Sequence, residues 1–228
     1  MEEEEEGIRT FLMDARVNLK HFLNDRRLPV VLILCFVLRL AVLILYPDGF
    51  WSTIGTPIGV DSWSSFAERL VGTGDYQPGV NRPPVFPLFL AAFYAVFGVN
   101  YFIARVVLIF LDVGSCVAIY LLAHRLFSSR TVSLCASIVW ALYFPEFPYV
   151  THIWAEPLFT LLLLLFVFSM LRAYSSPGVA SFVLMGVLYG LLNLTRTGLN
   201  AFFIVMAFLY CIRFRPFTFV RLRLFFIF

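Results

Sequence analysis

Charged side chains are scarce in this sequence. Asp, Glu, Lys and Arg together make up 14% of its 228 residues, whereas soluble domains contain about 25%. The net charge of +3 says little about nucleic acid, and we expect no nucleic-acid partner. The composition excludes an ordinary soluble domain.

Cysteine is scarce too, and the start of the chain does not resemble a signal peptide. Each of the four cysteines lies within an apolar run, which predicts packing and not a disulfide framework: Cys35, Cys116, Cys135 and Cys211. The chain begins with Met and five Glu, without a basic start or a small-residue cleavage site. We therefore expect the first apolar run to be an uncleaved membrane anchor.

What the sequence has in abundance is apolar side chains, at 61% of all residues. That fraction is typical of an integral membrane protein, because soluble domains have roughly 45 to 50%. Apolar runs predict transmembrane helices near residues 28–46, 101–123, 131–145, 155–173, 179–195 and 199–213. The predicted fold class is an all-α, multi-pass transmembrane helix bundle, with residues 1–27 as a cytoplasmic N-terminal segment and residues 28–228 as the membrane domain.

The run from Pro83 to Gly98 decides the topology, because it is short for a transmembrane helix and has prolines in its first turns. If it spans the membrane, every later basic cluster changes sides. If it stays on the outer side as an interfacial or re-entrant helix, the clusters at 16–27, 125–130, 172 and 213–223 all become cytoplasmic, as the positive-inside rule favours. We therefore expect residues 47–100 to form a non-cytoplasmic first loop that contains interfacial helices.

A short amphipathic helix is predicted directly after Asp61. Apolar side chains recur there at helical spacing, at Trp63, Phe66, Ala67, Leu70 and Val71. Asp61 can cap this helix, or its carboxylate can meet a substrate at the outer end of the bundle. Both interpretations remain open at this point, while Glu68 and Asp75 are expected to be solvated.

A second acidic segment precedes the predicted helix at 155–173. Glu156 stands before Pro157, so it can cap that helix, where its charge is favoured by the helix dipole. His152 and Glu146 lie close by in sequence and could join it in holding a divalent cation, although the spacing does not require one. We assign no metal ligand and no cofactor, and a divalent cation stays an open alternative.

Several arginines and one aspartate lie in or beside the predicted helices. Arg39 and Asp112 fall at nearly the same depth of two antiparallel helices, which predicts an intramembrane ion pair with a structural role. The remaining arginines, Arg82, Arg105 and Arg196, are expected near the outer surface. There each can hold a lipid phosphate or extend to the headgroups without a specific ligand.

The order of these segments resembles the front half of the polyprenyl-linked-sugar glycosyltransferases of the C-type fold. The similarity runs from about Pro29 to Arg215 and rests on "NRPPVFPLFLAAFYAVFG", "ARVVLIFLDVGSCVAIYLLAHRLF", "WAEPLFTLLLLL" and "GLLNLTRTGLNAFF". The group most similar is family 39, which contains protein O-mannosyltransferases and bacterial aminoarabinose transferases. Many members have Asp-Glu where this chain has Asp61-Ser62, and the later helices and C-terminal domain of the family do not follow, so we expect the chain to be the front part of a longer enzyme.

The resemblance implies both a reaction and its residues. Asp61 matches the carboxylate that acts as catalytic base or orients the acceptor, and Glu156 matches a second acid that assists acceptor or metal binding. Arg82 and Arg196 match arginines near the lipid phosphate, and we add Arg105 and His152 as candidate substrate-binding residues. The implied function is inverting transfer of a sugar from a polyprenyl-phosphate carrier to a protein, lipid or glycan acceptor, in the plasma membrane of a bacterium or the endoplasmic reticulum of a eukaryote. The alternative is a multi-pass transporter or flippase, whose charged residues would line a path at the bilayer midplane.

The expected topology can be tested by cysteine labelling. Ser65→Cys and Ser129→Cys, each introduced into a cysteine-free background, should react with a membrane-impermeant maleimide from opposite sides of sealed vesicles. The first lies in the predicted outer loop and the second in a cytoplasmic turn. Labelling of both from the same side would contradict the number of spans.

Overall fold

The computed structural model describes residues 25–46, 62–75, 83–175 and 178–197. Within these ranges the regular structure is entirely helical, which confirms the predicted fold class. A 3-10 turn at Phe144–Glu146 separates the fifth helix from the sixth. The helices are α1 (Leu28–Leu45), α2 (Ser62–Thr73), α3 (Val85–Phe97), α4 (Tyr101–Phe127), α5 (Arg130–Ala141), α6 (Phe147–Thr151), α7 (Glu156–Ser175) and α8 (Val179–Thr195). Asp61, Arg82 and the helix predicted at 199–213 lie outside the described residues.

Three helices in the described ranges, α1, α4 and α7, are long and apolar enough to cross a membrane, while α3, α5 and α8 are shorter apolar helices. The chain is an integral membrane protein. One predicted boundary was wrong: the helix expected at 131–145 ends at Ala141. Pro145 explains the early end, because it has no N–H for the carbonyl of Ala141 and its ring would clash with that carbonyl.

Helix α4 lies at the centre of the bundle and packs against α1, α5, α6 and α7, while α8 packs on the outside of α7. Near the start of α1, the Tyr120 hydroxyl donates a 3.0 Å hydrogen bond to Asp25 Oδ2. We call this the Asp25 end. The opposite end, where α7 begins and α8 finishes, is called the Glu156 end.

The main apolar core lies toward the Glu156 end. It joins buried residues of α2 and α3 to the segment before α7 and the first turn of α7. The members from these segments are Ala67, Phe86, Leu90, Ala91, Tyr94, Val150, Ile153, Ala155 and Leu158. The Trp63 ring meets the Phe86 ring edge-on, with centroids 5.6 Å apart. The amphipathic helix therefore packs with the segment that leads into Glu156, at one end of the bundle.

Polar contacts also hold α2 in place. Glu68 Oε1 accepts hydrogen bonds from the Ser64 hydroxyl (2.9 Å) and the Tyr101 hydroxyl (2.8 Å). The Ser64 and Tyr94 hydroxyls lie 2.8 Å apart. The expectation that Glu68 is solvated was thus wrong, because its carboxylate is partly buried and links α2 to α4; Asp75 is exposed, as expected.

The intramembrane ion pair is confirmed. Arg39 Nε of α1 donates to Asp112 Oδ2 of α4, and both side chains are 0% exposed. Burial of an unpaired charge at this depth would be very costly, so each group requires the other.

The contact between α2 and α4 should contribute measurably to stability. Tyr101→Phe removes one hydrogen bond to a partly buried carboxylate, so we expect a loss on the order of 1 kcal/mol and a lower melting temperature in detergent. Tyr143→Phe is the control, because Tyr143 is about half exposed and its hydroxyl makes no hydrogen bond to another described residue. Equal melting temperatures for the two variants would show that the contact adds nothing.

Candidate active site

An ion pair joins two helix ends at the Glu156 end. Arg196 directly follows α8, and Glu156 is the first residue of α7. The Nη1 atom of Arg196 donates a 2.7 Å hydrogen bond to Oε1 of Glu156. The helix dipole favours the Glu156 carboxylate at this N-terminus. The two side chains are 21% (Glu156) and 56% (Arg196) exposed, so a ligand can reach both. Two residues predicted separately from the sequence are therefore in direct contact.

The segment before Glu156 is unusually buried for a connection between helices. Residues 142–155, which we call the link, include Thr151, His152 and Ile153 at 4% exposure or less. Ile153 has φ of +55°, a left-handed conformation that a β-branched residue adopts only under strain. Strain of this kind costs on the order of 1–3 kcal/mol and is concentrated at functional sites.

Aromatic rings around Ile153 hold the strained turn. The rings of Tyr149 and Trp154 lie 5.2 Å apart, and the ring of His152 lies 6.0 Å from that of Trp154. The backbone N–H of Trp154 also bonds the carbonyl of Tyr149. The turn that directs the chain into Glu156 is therefore fixed from several sides.

The link also contains a buried carboxyl group, Glu146, which is 6% exposed. Its Oε1 atom has no hydrogen-bond partner among the described residues. Glu146 is thus a buried acid within the link.

The other predicted site residues lie as follows. Arg105, in the second turn of α4, is 6% exposed and close enough to Tyr94 to lower the pKa of that phenol, against the larger upward effect of burial. One of the two expectations for Arg105, that its side chain extends to the lipid headgroups, is therefore wrong. His152 is 4% exposed and lies against Trp154.

A divalent-cation site finds no support in the described ranges. No group of three His, Cys, Asp or Glu side chains there is arranged to hold a metal ion. The link contains Glu146 and His152, and Glu156 directly follows it. These three side chains do not form such a group.

Two features of the site were missed by sequence reasoning. Glu146 was considered only as a metal ligand, although a carboxylate between Pro145 and Pro148 in an apolar segment is itself a signal for a buried acid. The hydrogen bonds of Glu68 had no sequence signal, since Tyr101 is 33 residues away.

The chain matches a known protein family. The family model described as dolichyl-phosphate-mannose-protein mannosyltransferase matches residues 81–225, well over half of the chain. The matched segment contains Glu156 and Arg196 and begins after Asp61. No curated protein and no solved structure matches the chain.

Proposed function

The chain belongs to the dolichyl-phosphate-mannose-protein mannosyltransferase family, and on that premise we propose that it moves a sugar from a polyprenyl-phosphate carrier to a protein, lipid or glycan acceptor on the non-cytoplasmic face. The family consists of membrane glycosyltransferases that use lipid-linked sugar donors and membrane-associated acceptors. The proposal includes a polyprenyl-phosphate donor, transfer on the non-cytoplasmic face and inversion at the anomeric carbon.

The proposed reaction is a single displacement at the anomeric carbon. The acceptor hydroxyl or amine forms a bond to this carbon on the face opposite the phosphate, and its proton passes to the Asp61 carboxylate. The bond between the carbon and the phosphate oxygen breaks, and the oxygen keeps the electron pair. Inversion follows because attack and departure occur on opposite faces.

The observation that carries the proposal is the contact between Glu156 and Arg196. A guanidinium is suited to a departing phosphate, because it donates two parallel hydrogen bonds and its positive charge meets negative charge as that charge develops. Arg196, with Arg82, is proposed to bind the phosphate, while Glu156 orients the acceptor. The packing of α2 with the segment before Glu156 in one apolar core supports a site that also includes Asp61, the residue directly before α2.

Two other predicted residues have a different place in the proposal. Arg105 and His152 are covered by protein, so a substrate reaches either one only after the covering side chains move. We propose that they support the site from beneath, with Arg105 next to the phenol of Tyr94 and His152 beside the ring of Trp154.

The length of α3 supports the proposed topology. At 13 residues, α3 extends about 20 Å, whereas the hydrocarbon core of a bilayer is roughly 30 Å thick. A helix this short favours an interfacial or re-entrant position, which keeps the basic clusters cytoplasmic and the Glu156 end outside. The membrane would be the plasma membrane of a bacterium or the endoplasmic reticulum of a eukaryote.

The transporter alternative receives less support. It would place charged side chains along an open path at mid-depth. Among the described residues, the mid-depth charges Arg39 and Asp112 are paired with each other and fully buried. The accessible ion pair is the one at the Glu156 end.

Loss of the proposed base should abolish transfer. Asp61→Asn removes the proton acceptor without changing size, so we expect kcat to fall about 10² to 10⁴-fold. The measurement is transfer of radiolabelled sugar from synthetic polyprenyl-phosphate sugars to acceptors in membranes that contain the protein. Expression should remain as in the wild type.

Asp75→Asn makes the same chemical change in the same predicted loop, at an exposed position, and should retain full activity. Wild-type turnover in Asp61→Asn would exclude Asp61 as the base. Inactivity of the wild-type protein with every polyprenyl-phosphate sugar tested would exclude the proposed donor class.

A further inference from the structure

The break after α5 leaves backbone groups exposed to an apolar environment. Helix α5 has 12 residues, or about 18 Å, so it ends well inside a hydrocarbon core of roughly 30 Å. Pro145 stands four residues after Ala141 and supplies no N–H to its carbonyl. A carbonyl left without a donor in this environment costs several kcal/mol.

Arg39 supplies the missing donor. Its Nη1 atom donates to the carbonyl of Ala141 at 2.5 Å. Its Nη2 atom donates at 3.1 Å to the carbonyl of Trp140, which also accepts the backbone N–H of Tyr143 at 3.0 Å. These contacts cross from α1 to α5, more than 100 residues apart in sequence. The guanidinium thus caps a helix that is not its own.

The other contacts of Arg39 fix the guanidinium in that position. Nε donates to Asp112 of α4, and the ring of Phe147 covers the guanidinium with its centroid 4.7 Å from Cζ. A planar guanidinium spreads its donors over three nitrogens, so it binds a carboxylate and two separate carbonyls at once while one face lies over a ring. An ammonium has all its donors on one nitrogen, which cannot take the positions of all three. Simple neutralisation of Asp112 would not need this arrangement.

Phe147 is the first residue of α6, the helical part of the link, so the contact between Arg39 and Phe147 also holds the start of this helix. Helix α6 packs against α1 and α4, and nine residues after Phe147 the chain reaches Glu156. The link is therefore held at mid-depth by Arg39 and at the surface by the pair of Arg196 with Glu156.

We propose that Arg39 is a positioning residue for the reaction: by binding the open carbonyl of Ala141 and the neighbouring carbonyl of Trp140 at the end of α5, it sets the path of the link and hence the position of Glu156. This inference rests on the proposed function for its effect on rate, and on geometry alone for its effect on the link. Arg39 touches no substrate and acts through the backbone.

The experiment separates positioning from charge neutralisation. Arg39→Lys keeps a positive charge for Asp112 but cannot bind both carbonyls. The pair Arg39→Leu with Asp112→Leu removes both charges, an exchange that is often neutral or stabilising for folding. The pair Arg39→Gln with Asp112→Asn also removes both charges but keeps an amide donor for one carbonyl.

Two quantities are measured for each variant that elutes as a single species in detergent. The first is kcat and KM for transfer from the polyprenyl-phosphate sugar. The second is the distance between spin labels at Phe144→Cys in the link and Leu45→Cys in α1, both exposed positions, with Cys135 and Cys211 replaced by Ala. Cys35 and Cys116 are buried and stay in place.

We expect kcat to fall about 10²-fold in Arg39→Lys and in the Leu pair, because a displacement of about 1 Å can have that effect. KM should change less than kcat, and the distance distribution should broaden. The Gln and Asn pair should lie between these variants and the wild type. Arg125→Lys, an exposed change of the same kind near the Asp25 end, should behave as the wild type.

Wild-type kcat and an unchanged distance distribution in either double variant would overturn the inference. A wild-type protein without transfer activity would instead contradict the proposed function, and the spin-label distances would still decide whether Arg39 sets the path of the link. If Arg39→Lys does not fold, the two double variants still test the inference.

Discussion

A backbone carbonyl in the apolar interior of a membrane protein must have a hydrogen-bond donor, and this requirement governs the structure around Ala141. Pro145 removes the donor that a continuous helix would supply, and Arg39 replaces it from another helix. Asp112 is needed because a buried guanidinium must be neutralised. The carbonyl of Ala141 thus connects the proline after α5 with the buried ion pair of α1 and α4.

The consequence of the break is a connection that is folded through a core and not exposed as a loop. The link packs Val150 and Ile153 into one apolar core with residues of α2 and α3. The strained backbone at Ile153 is tolerated because the side chain is almost fully buried and the rings of Tyr149 and Trp154 enclose the turn. The same packing that hides the link brings its last residues to the amphipathic helix.

The sequence predicted those elements whose signal is local. Apolar runs gave the positions of α1, α4, α7 and α8 to within a few residues at most boundaries, and helical spacing gave α2. Depth along two antiparallel helices was sufficient to predict the pairing of Arg39 with Asp112. The contacts of the guanidinium with Trp140 and Ala141 were not predicted, because they depend on which face of α1 meets the end of α5, and sequence periodicity does not contain that relation.

The candidate site was predictable to the same extent. Glu156 and Arg196 were identified separately, from a helix start and from a resemblance, but their contact depends on how α7 and α8 pack, which is a tertiary property. Burial reversed the expectation for Glu68, because an amphipathic helix at an interface can be covered by protein as well as by lipid headgroups. Burial of Arg105 in the second turn of α4 removed one of the two expectations for that residue. Asp61 and Arg82 remain predictions from the sequence and the family resemblance.

The two arginine pairs differ in a way that suits different tasks. Arg39 and Asp112 have no exposed surface, so separating them would leave charge in an apolar interior and costs several kcal/mol. Arg196 is more than half exposed, and an ion pair at such a position is worth only about 0 to 1 kcal/mol. Arg196 can therefore leave Glu156 for a phosphate at little cost, while Arg39 cannot leave its partners. In the proposed site the backbone must stay fixed while ligands bind and leave. The buried pair of Arg39 and Asp112 suits the first requirement and the accessible pair of Arg196 and Glu156 suits the second.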